Sequence, residues 1–231
     1  MEGDRFMKLE TYPDEEMLAI DLANTIAGEL NSALMQDESA RVLLAVPGGT
    51  SPGPVFDDLC AADLEWERID VVLTDERWVP EDDPCSNTRL VKERLLTARA
   101  AAARFLPLYT AAHEPEEVLA ELESMIGPEL PIAVALMGMG PDMHVASLFP
   151  GMEGLEQALA PDAPILMAVR EPSRQEARVT LTARVLNGAL SKHLLISGDE
   201  KRAALERALK LPPEEAPVQA VLGGTTVHWT E

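Results

Sequence analysis

Residues 47–54 (PGGTSPGP) combine the groups that can bind a phosphate. Gly48 and Gly49 permit a sharp turn that exposes backbone N–H groups, and Thr50 and Ser51 add hydroxyl donors. Exposed amides at the start of a helix bind anions. The segment has neither the Gly-Lys-Ser/Thr ending of a Walker A loop nor a GxGxxG pattern, so it favours a sugar phosphate over a nucleotide. An ordinary tight turn between a strand and a helix is the alternative.

Asp75 and Arg77 lie in residues 74–80 (TDERWVP), directly after an apolar run that predicts a strand. Charged side chains in this position lie at the rim of a sheet. Arg77 could bind a phosphate, and Asp75 could orient a substrate hydroxyl or a catalytic group. A salt bridge at the rim is the alternative interpretation.

Further cations are candidates for the same anion. Arg178 begins residues 178–182, and Lys201 falls in the first turn of a predicted helix, where a positive charge opposes the helix dipole. This placement suggests a bound anion, although simple exposure to solvent explains it equally well. Arg170 and Arg174 lie nearby in the sequence, so the set of phosphate-binding cations stays open.

Residues 138–151 (GMGPDMHVASLFPG) place a histidine and a carboxylate two positions apart in a glycine-rich turn. An imidazole, with an ordinary pKa of about 6.5, is mostly neutral yet can take up a proton at cytosolic pH. The carboxylate of Asp142 can fix the tautomer of His144 and stabilise the imidazolium. The pattern predicts that His144 is a general base, whereas His113, His193 and His228 are predicted to be structural. One histidine and one aspartate are too few for a metal site, so no metal is expected.

These segments follow the ends of predicted strands. The apolar runs that predict strands cover residues 41–46, 69–74, 131–137, 164–169, 178–182 and 193–197. The predicted helices cover residues 13–34, 55–61, 87–103, 115–125 and 199–209. Their alternation predicts an α/β fold with a doubly wound, mostly parallel sheet and helices on both faces, in one domain over residues 1–231. Ligands bind beyond the carboxyl ends of such strands, so the segments after residues 46, 74 and 137 should form one site, with the segment after residue 197 as a further candidate.

The composition narrows the class of partner. The chain has 231 residues, with 40 Asp and Glu against 19 Lys and Arg, so its formal net charge is -21. This charge repels polyanions, and nucleic-acid binding is not expected. No apolar run approaches the roughly 20 residues that span a bilayer, and the first ten residues do not resemble a signal peptide. With only two cysteines, the sequence predicts a soluble cytoplasmic protein.

Taken together and in order, the motifs resemble those of the 6-phosphogluconolactonase family. PGGTSP is similar to the family's Ser-Gly-Gly-Ser-Thr-Pro loop, and TDERWVP with the later Ser86 and Asn87 is similar to its Asp-Glu-Arg segment. GMGPDMHVASLFPG resembles its Gly-Met-Gly-Pro-Asp-Gly-His-x-Ala-Ser-Leu-Phe-Pro-Gly signature. Residues 178–187 and 227–229 extend the match. The resemblance implies a fold shared with glucosamine-6-phosphate deaminases.

The resemblance also implies a reaction, the hydrolysis of 6-phospho-D-glucono-1,5-lactone to 6-phosphogluconate in the pentose phosphate pathway, with no cofactor. The partner would be this small sugar-phosphate lactone, and the protein a monomer or small homo-oligomer. Carried over by position, His144 would be the base, with Asp142 and Asp75 nearby. The phosphate site would comprise Gly48, Gly49, Thr50, Ser51, Arg77, Arg178 and Lys201.

Two departures from the family pattern bear on activity. Met143 stands where the family has a glycine between the aspartate and the histidine, and Pro47 stands where it has a serine. If position 143 requires a positive φ, methionine costs about 1 kcal/mol or more there and could re-aim His144. Pro47 removes a hydroxyl and an N–H that could bind phosphate.

Two other functions remain open. Glucosamine-6-phosphate deaminases resemble this chain at the glycine-rich and Asp-x-His loops, but they carry a glutamate where Phe149 lies. Phenylalanine cannot supply the acid or base that ring opening requires. A non-catalytic sugar-phosphate-binding module is the second alternative, although the sequence has no basic helix-turn-helix segment of the kind found in regulators.

Overall fold

The computed structural model describes residues 6–37, 39–171 and 176–231. The strands in this part of the chain are β1 (Lys8–Thr11), β2 (Val42–Val46), β3 (Ile69–Leu73), β4 (Asp75–Arg77), β5 (Arg104–Leu106), β6 (Val134–Gly138), β7 (Leu166–Val169), β8 (Arg178–Leu181), β9 (Ser191–Ser197) and β10 (Thr226–Thr230). The helices are α1 (Glu15–Gln36), α2 (Gly53–Leu59), α3 (Asn87–Arg94), α4 (Leu119–Ile126), α5 (Leu155–Leu159), α6 (Ala183–Asn187) and α7 (Asp199–Ala208). None of these helices is long and apolar enough to cross a membrane.

The main sheet has seven strands, all paired in parallel, in the order β1-β10-β9-β6-β2-β3-β5. It is flanked by helices, so the predicted fold class is confirmed. Every residue of β2 and β3 is buried, as expected of continuous apolar runs in a parallel sheet. One hydrophobic cluster joins the sheet to its helices, and the single domain over residues 1–231 stays a prediction.

The order of the strands creates a crevice. From β2 the chain runs outward to β3 and β5, and it then returns to β6 on the other side of β2 and continues to β9 and β10. The connections that follow β2 and β6 therefore diverge. Such a reversal, at the carboxyl ends of the strands, is where open α/β sheets bind ligands.

Two predicted strands do not belong to the main sheet. The runs at 164–169 and 178–182 form β7 and β8, which pair antiparallel in a second sheet of order β4-β8-β7. The prediction that they add to the parallel sheet is wrong. A parallel connection needs about a dozen residues or more, and the segment between Val169 and Arg178 is shorter.

The predicted helices differ from the observed ones mainly at two places. The predicted helix 87–103 is interrupted: α3 ends at Arg94, and a separate 3₁₀ turn, Ala98–Ala102, follows with Ala98 at a φ of 45°. The predicted helix 115–125 begins with a 3₁₀ turn before α4. The predicted helix 13–34 is confirmed as α1, whose first turn is capped by the side chain of Asp14, which accepts a hydrogen bond from the Met17 N–H at 2.8 Å.

A buried pair of histidines attaches α1 to the edge of the sheet. Nδ1 of His193 lies 3.0 Å from Nε2 of His228, and Nε2 of His193 lies 2.8 Å from the Glu29 carboxylate on α1. The Tyr12 hydroxyl lies 2.9 Å from Nδ1 of His228 and donates to Asp21, also on α1, at 2.7 Å. Burial, aided by the neighbouring His193, lowers the pKa of His228 to about 4. Both rings hold the fold together, as predicted.

Candidate active site

A cleft of about 270 Å³ opens at the carboxyl ends of β2, β3, β6 and β9. It brings together the four segments that the sequence places after strands. The predicted site residues that line it are Gly48, Gly49, Thr50, Ser51, Asp75, Arg77, His144, Arg178 and Lys201. Asp142 stands behind this lining and contacts His144. Asp75 and Arg77 were predicted to lie in a loop, but they form the short strand β4.

The glycine-rich loop presents its backbone to the cleft. Gly49 has a φ of 88°, a conformation that favours glycine. A Cβ at Gly48 would overlap the side chain of Asn87, so the close approach of α3 to this loop requires glycine. Within the described residues, the N–H groups from Gly48 to Ser51 donate to no acceptor. These amides are therefore available to an anion.

Two arginines face each other across the second sheet. Arg77 of β4 is directly opposite Arg178 of β8 in the antiparallel register, and both line the cleft. Like charges in opposite positions destabilise a strand pair unless an anion lies between them. Arg77 donates to the Cys85 carbonyl at 2.5 Å, while its buried Nε has no acceptor among the described residues.

Lys201, in the first turn of α7, adds a third cation to the cleft. Among the described residues its ammonium group has no hydrogen-bond or ion-pair partner. Burial lowers the pKa of Lys201 from its ordinary value. A half-buried cation that is not neutralised by a protein carboxylate is well placed to bind a ligand anion.

Asp75 is buried and contacts one of the arginines. Its carboxylate accepts a hydrogen bond from the Ser147 hydroxyl at 2.5 Å and lies 3.4 Å from Arg178. Its described side-chain hydrogen bonds do not include His144. The geometry therefore favours orientation of Arg178, rather than direct contact with the histidine, as the effect of this carboxylate.

A tight turn sets the position of His144. The Met143 N–H donates to the Gly140 carbonyl at 2.9 Å, and the Gly140 N–H donates to the His144 carbonyl at 3.1 Å. The imidazole packs over Gly140 so closely that a Cβ there would overlap it. Met143 has a φ of 67°, so this position does adopt the left-handed conformation that favours glycine.

The imidazole of His144 is oriented by a carboxylate. Its Nδ1 is hydrogen-bonded to Asp142, and this bond holds the pKa of the Asp142 carboxyl below its ordinary value. An ionised carboxylate only accepts hydrogen bonds, so Nδ1 carries the proton and Nε2 is left as an acceptor. The His144 side chain is 23% exposed, which leaves it accessible from the cleft.

Phe149 lies between the imidazole and an arginine. Its ring centroid is 4.7 Å from that of His144 and 5.5 Å from the guanidinium carbon of Arg178. The ring is almost entirely buried and offers no proton to the cleft. Its effect is to pack the imidazole in place and to stabilise the guanidinium through a cation–π contact.

Two further arginines are phosphate candidates from the sequence, and a metal site is not expected. Arg170 is ion-paired to Glu114 and Glu116 and does not line the cleft. Arg174 lies outside the described residues. No group of three or more His, Cys, Asp or Glu in the described ranges could hold a metal ion.

Two residues make contacts within the site that the sequence did not predict. Ser86 is the cap of α3, and the Asn87 amide donates to the Asp75 carbonyl at 2.9 Å beside the loop. The Ser147 hydroxyl donates to the Asp75 carboxylate inside the site. The only available sequence signal was their place inside the quoted motifs, because both contacts join distant parts of the chain.

Known proteins are similar to this chain along nearly its whole length. A family model described as glucosamine-6-phosphate isomerases/6-phosphogluconolactonase matches residues 13–229. The chain is 43% identical to the 6-phosphogluconolactonase of Pseudomonas aeruginosa over 226 residues, which cover 96% of this chain and 94% of the relative. It is 39% identical to that of Mesorhizobium japonicum over 215 residues, which cover 91% and 88%.

Solved structures extend the similarity to the backbone. A 6-phosphogluconolactonase from Shewanella baltica superposes with a TM-score of 0.93 at 28% identity and covers 99% of this chain and 100% of its own. A monomeric glucosamine-6-phosphate deaminase superposes with a TM-score of 0.78 at 20% identity, covering 97% and 98%. At that identity, the second match shows the shared fold alone.

Proposed function

The chain belongs to the family of glucosamine-6-phosphate isomerases and 6-phosphogluconolactonases, and on this basis we propose that it hydrolyses 6-phospho-D-glucono-1,5-lactone to 6-phospho-D-gluconate. Its activity is that of a 6-phosphogluconolactonase, since relatives with that name are 39% and 43% identical over most of both chains. This ester hydrolysis is a step of the oxidative pentose phosphate pathway. The cross-strand pair of Arg77 and Arg178, in the same cleft as His144, is the observation that carries the assignment of this cleft.

The cations and the glycine-rich loop bind the phosphate. Arg77, Arg178 and Lys201 face the same cleft as the unbonded amides of residues 48–51. A hydrogen bond to a charged group contributes roughly 1.5–3 kcal/mol, so three such contacts outweigh the residual repulsion from a distant acidic surface. Exposed charges farther than about 8 Å are largely screened at physiological salt.

His144 activates the water. With its Nδ1 proton bonded to Asp142, the neutral imidazole accepts a proton at Nε2 from the water that attacks the lactone carbonyl. The resulting imidazolium, stabilised by the Asp142 carboxylate, returns this proton to the ring oxygen as the ester C–O bond breaks. The products are a carboxylic acid and a hydroxyl, and no covalent enzyme intermediate is needed.

The isomerase alternative is less well supported by the cleft. Phe149 fills the position next to His144 with an apolar ring, and this ring cannot open or close a sugar by proton transfer. The similarity to the deaminase structure supports the fold only. A non-catalytic binding module would not require a histidine–carboxylate pair facing the phosphate site.

One experiment separates these functions. Lactone disappearance is followed after correction for spontaneous hydrolysis, and ammonia release from glucosamine 6-phosphate is measured in parallel. We expect catalysed lactone loss and no ammonia. Binding without turnover would instead support the non-catalytic module, and ammonia release would support the isomerase. The cytoplasmic location and the monomer or small homo-oligomer inferred from the sequence stay predictions.

A further inference from the structure

Glu76 lies between two cleft residues but points away from the cleft. Side chains alternate along a strand, so Asp75 and Arg77 of β4 line the cleft while Glu76 faces the opposite side. Its side chain is fully buried. The proposed chemistry leaves this buried carboxylate without a role.

The Glu76 carboxylate binds the beginning of α3. One oxygen accepts hydrogen bonds from the N–H groups of Arg77 and Asn87, each at 2.8 Å. The other accepts from the Thr88 N–H at 2.7 Å and from the Ser86 hydroxyl at 3.1 Å. These four donors satisfy the buried charge and join the end of β4 to the first turn of α3.

Capping alone does not require this arrangement. The Ser86 side chain already caps α3 by accepting from the Arg89 N–H at 3.2 Å. An exposed aspartate, Asp14, suffices to cap the much longer α1. Burying an additional carboxylate costs several kcal/mol unless its hydrogen bonds are complete. Because α3 is already capped, this carboxylate is better explained by the positioning of the two segments that it joins than by helix formation.

The two segments joined by Glu76 carry groups of the phosphate site. β4 ends in Arg77, and α3 begins with Asn87, whose side chain packs against Gly48 of the glycine-rich loop. The distance between the Arg77 guanidinium and the loop amides therefore depends on how α3 is held against β4. Resting on the proposed function, we propose that Glu76 is a positioning residue that sets Arg77 against the glycine-rich loop so that both bind one phosphate.

The test is Glu76→Gln, which keeps the size of the side chain but places an NH₂ group against N–H and O–H donors. We expect KM for the lactone to rise about tenfold, with kcat changed less than about twofold because His144 is untouched. KM does not depend on the fraction of folded enzyme, so simple destabilisation would leave it unchanged. Asp14→Ala, which removes the cap of α1 away from the cleft, is the matched control and should alter stability but not KM.

A double-mutant cycle identifies the route of the effect. If Glu76 acts through Arg77, Glu76→Gln should raise KM little further when Arg77 is already alanine. If the two substitutions raise KM by independent factors that multiply in the double variant, the inference is wrong. An unchanged KM in Glu76→Gln would also overturn it. Should Glu76→Gln not fold, Ser86→Ala withdraws one donor from the same carboxylate, and it should raise KM about two- to threefold; an unchanged KM there would also contradict the proposal.

Calorimetry of 6-phosphogluconate binding compares the wild type with Glu76→Gln in the absence of turnover. We expect its dissociation constant to rise about tenfold in Glu76→Gln. A wild-type protein that binds 6-phosphogluconate but does not hydrolyse lactone would contradict the proposed function while leaving this comparison intact. Equal affinities of wild type and Glu76→Gln would contradict the positioning effect alone.

Discussion

His144 and Arg77 contribute to different steps, and their kinetic effects should differ accordingly. His144→Ala removes the base, and we expect kcat to fall about 10²–10⁴-fold with little change in KM. Arg77→Ala removes a phosphate contact distant from the reacting carbonyl, so it should mainly raise KM. Steady-state kinetics on both variants, corrected for spontaneous hydrolysis, measure this difference. Unchanged turnover in His144→Ala would exclude the proposed base.

Met143 is held in a conformation that a glycine would adopt more easily. Met143→Gly and Met143→Ala both remove the same partly buried side chain, but only glycine relieves the strain of a φ of 67°. We expect the glycine variant to be more stable than the alanine variant by about 1 kcal/mol, which reverses the usual order of the two residues in regular structure. Urea unfolding of the two proteins gives the difference directly. The opposite order would show that the turn imposes no strain at this position.

At the level of single residues, sequence reasoning identified groups better than their contacts. His144, Asp142 and the glycine-rich loop could be recognised because their motifs are local and compact. The contacts of Asp75 with Ser147 and Arg178 could not, because they join separate elements in space. For the same reason, the sequence left Arg170 as a phosphate candidate, whereas its ion pairs with Glu114 and Glu116 place it elsewhere.

Among the elements, α1 is attached to the sheet through a buried histidine pair, and burial lowers the pKa of one of its members, His228. The pKa of His228 is about 4 in the folded protein, against about 6.5 in an unfolded chain. Between about pH 4 and pH 6.5, His228 therefore binds a proton in the unfolded state but not in the folded state. The contribution of His228 to the free energy of unfolding is complete above about pH 6.5 and falls by about 3 kcal/mol as the pH drops towards 4.

Urea unfolding at several pH values between 7 and 4.5 tests this effect. His228→Gln removes the titrating ring, so its free energy of unfolding should depend less steeply on pH than that of the wild type. His113→Gln, which removes an exposed histidine, is the control and should follow the wild type. Parallel curves for all three proteins would show that His228 does not govern acid stability. The neighbouring Glu10, Asp21 and Glu29 oppose the downward shift without cancelling it.

The elements themselves were predictable where one physical signal dominates. Mainly apolar runs identified β2, β3, β6 and β9, because strands buried on both faces are rich in apolar residues. β4 was missed because its residues, Asp-Glu-Arg, are all charged and its pairing with β8 is a tertiary contact. The break after α3 is likewise set by packing, since the alanine-rich segment that follows has high intrinsic helix propensity.

On the scale of the whole molecule, the net charge of -21 opposes the approach of an anionic substrate. The Debye length is about 30 Å at 0.01 M salt and about 8 Å at 0.15 M. Added salt therefore screens the many distant acidic groups before it weakens the contacts of Arg77, Arg178 and Lys201. We expect kcat/KM to rise as salt increases through this range. A steady fall, measured at constant pH, would mean that the cleft cations control the encounter even at long range.

The bonds between Tyr12, the two histidines and the carboxylates also require a definite number of hydrogens. Four hydrogen bonds link Glu29, His193, His228, Tyr12 and Asp21, and each requires one hydrogen. Two neutral imidazoles and one hydroxyl supply only three. With both rings neutral, these three hydrogens cannot complete all four bonds, so the ring tautomers decide which contact lacks a hydrogen. Because the Tyr12 hydroxyl donates to Asp21, the contact without a hydrogen is one of the three that involve an imidazole, and α1 is attached to the sheet by the remaining bonds.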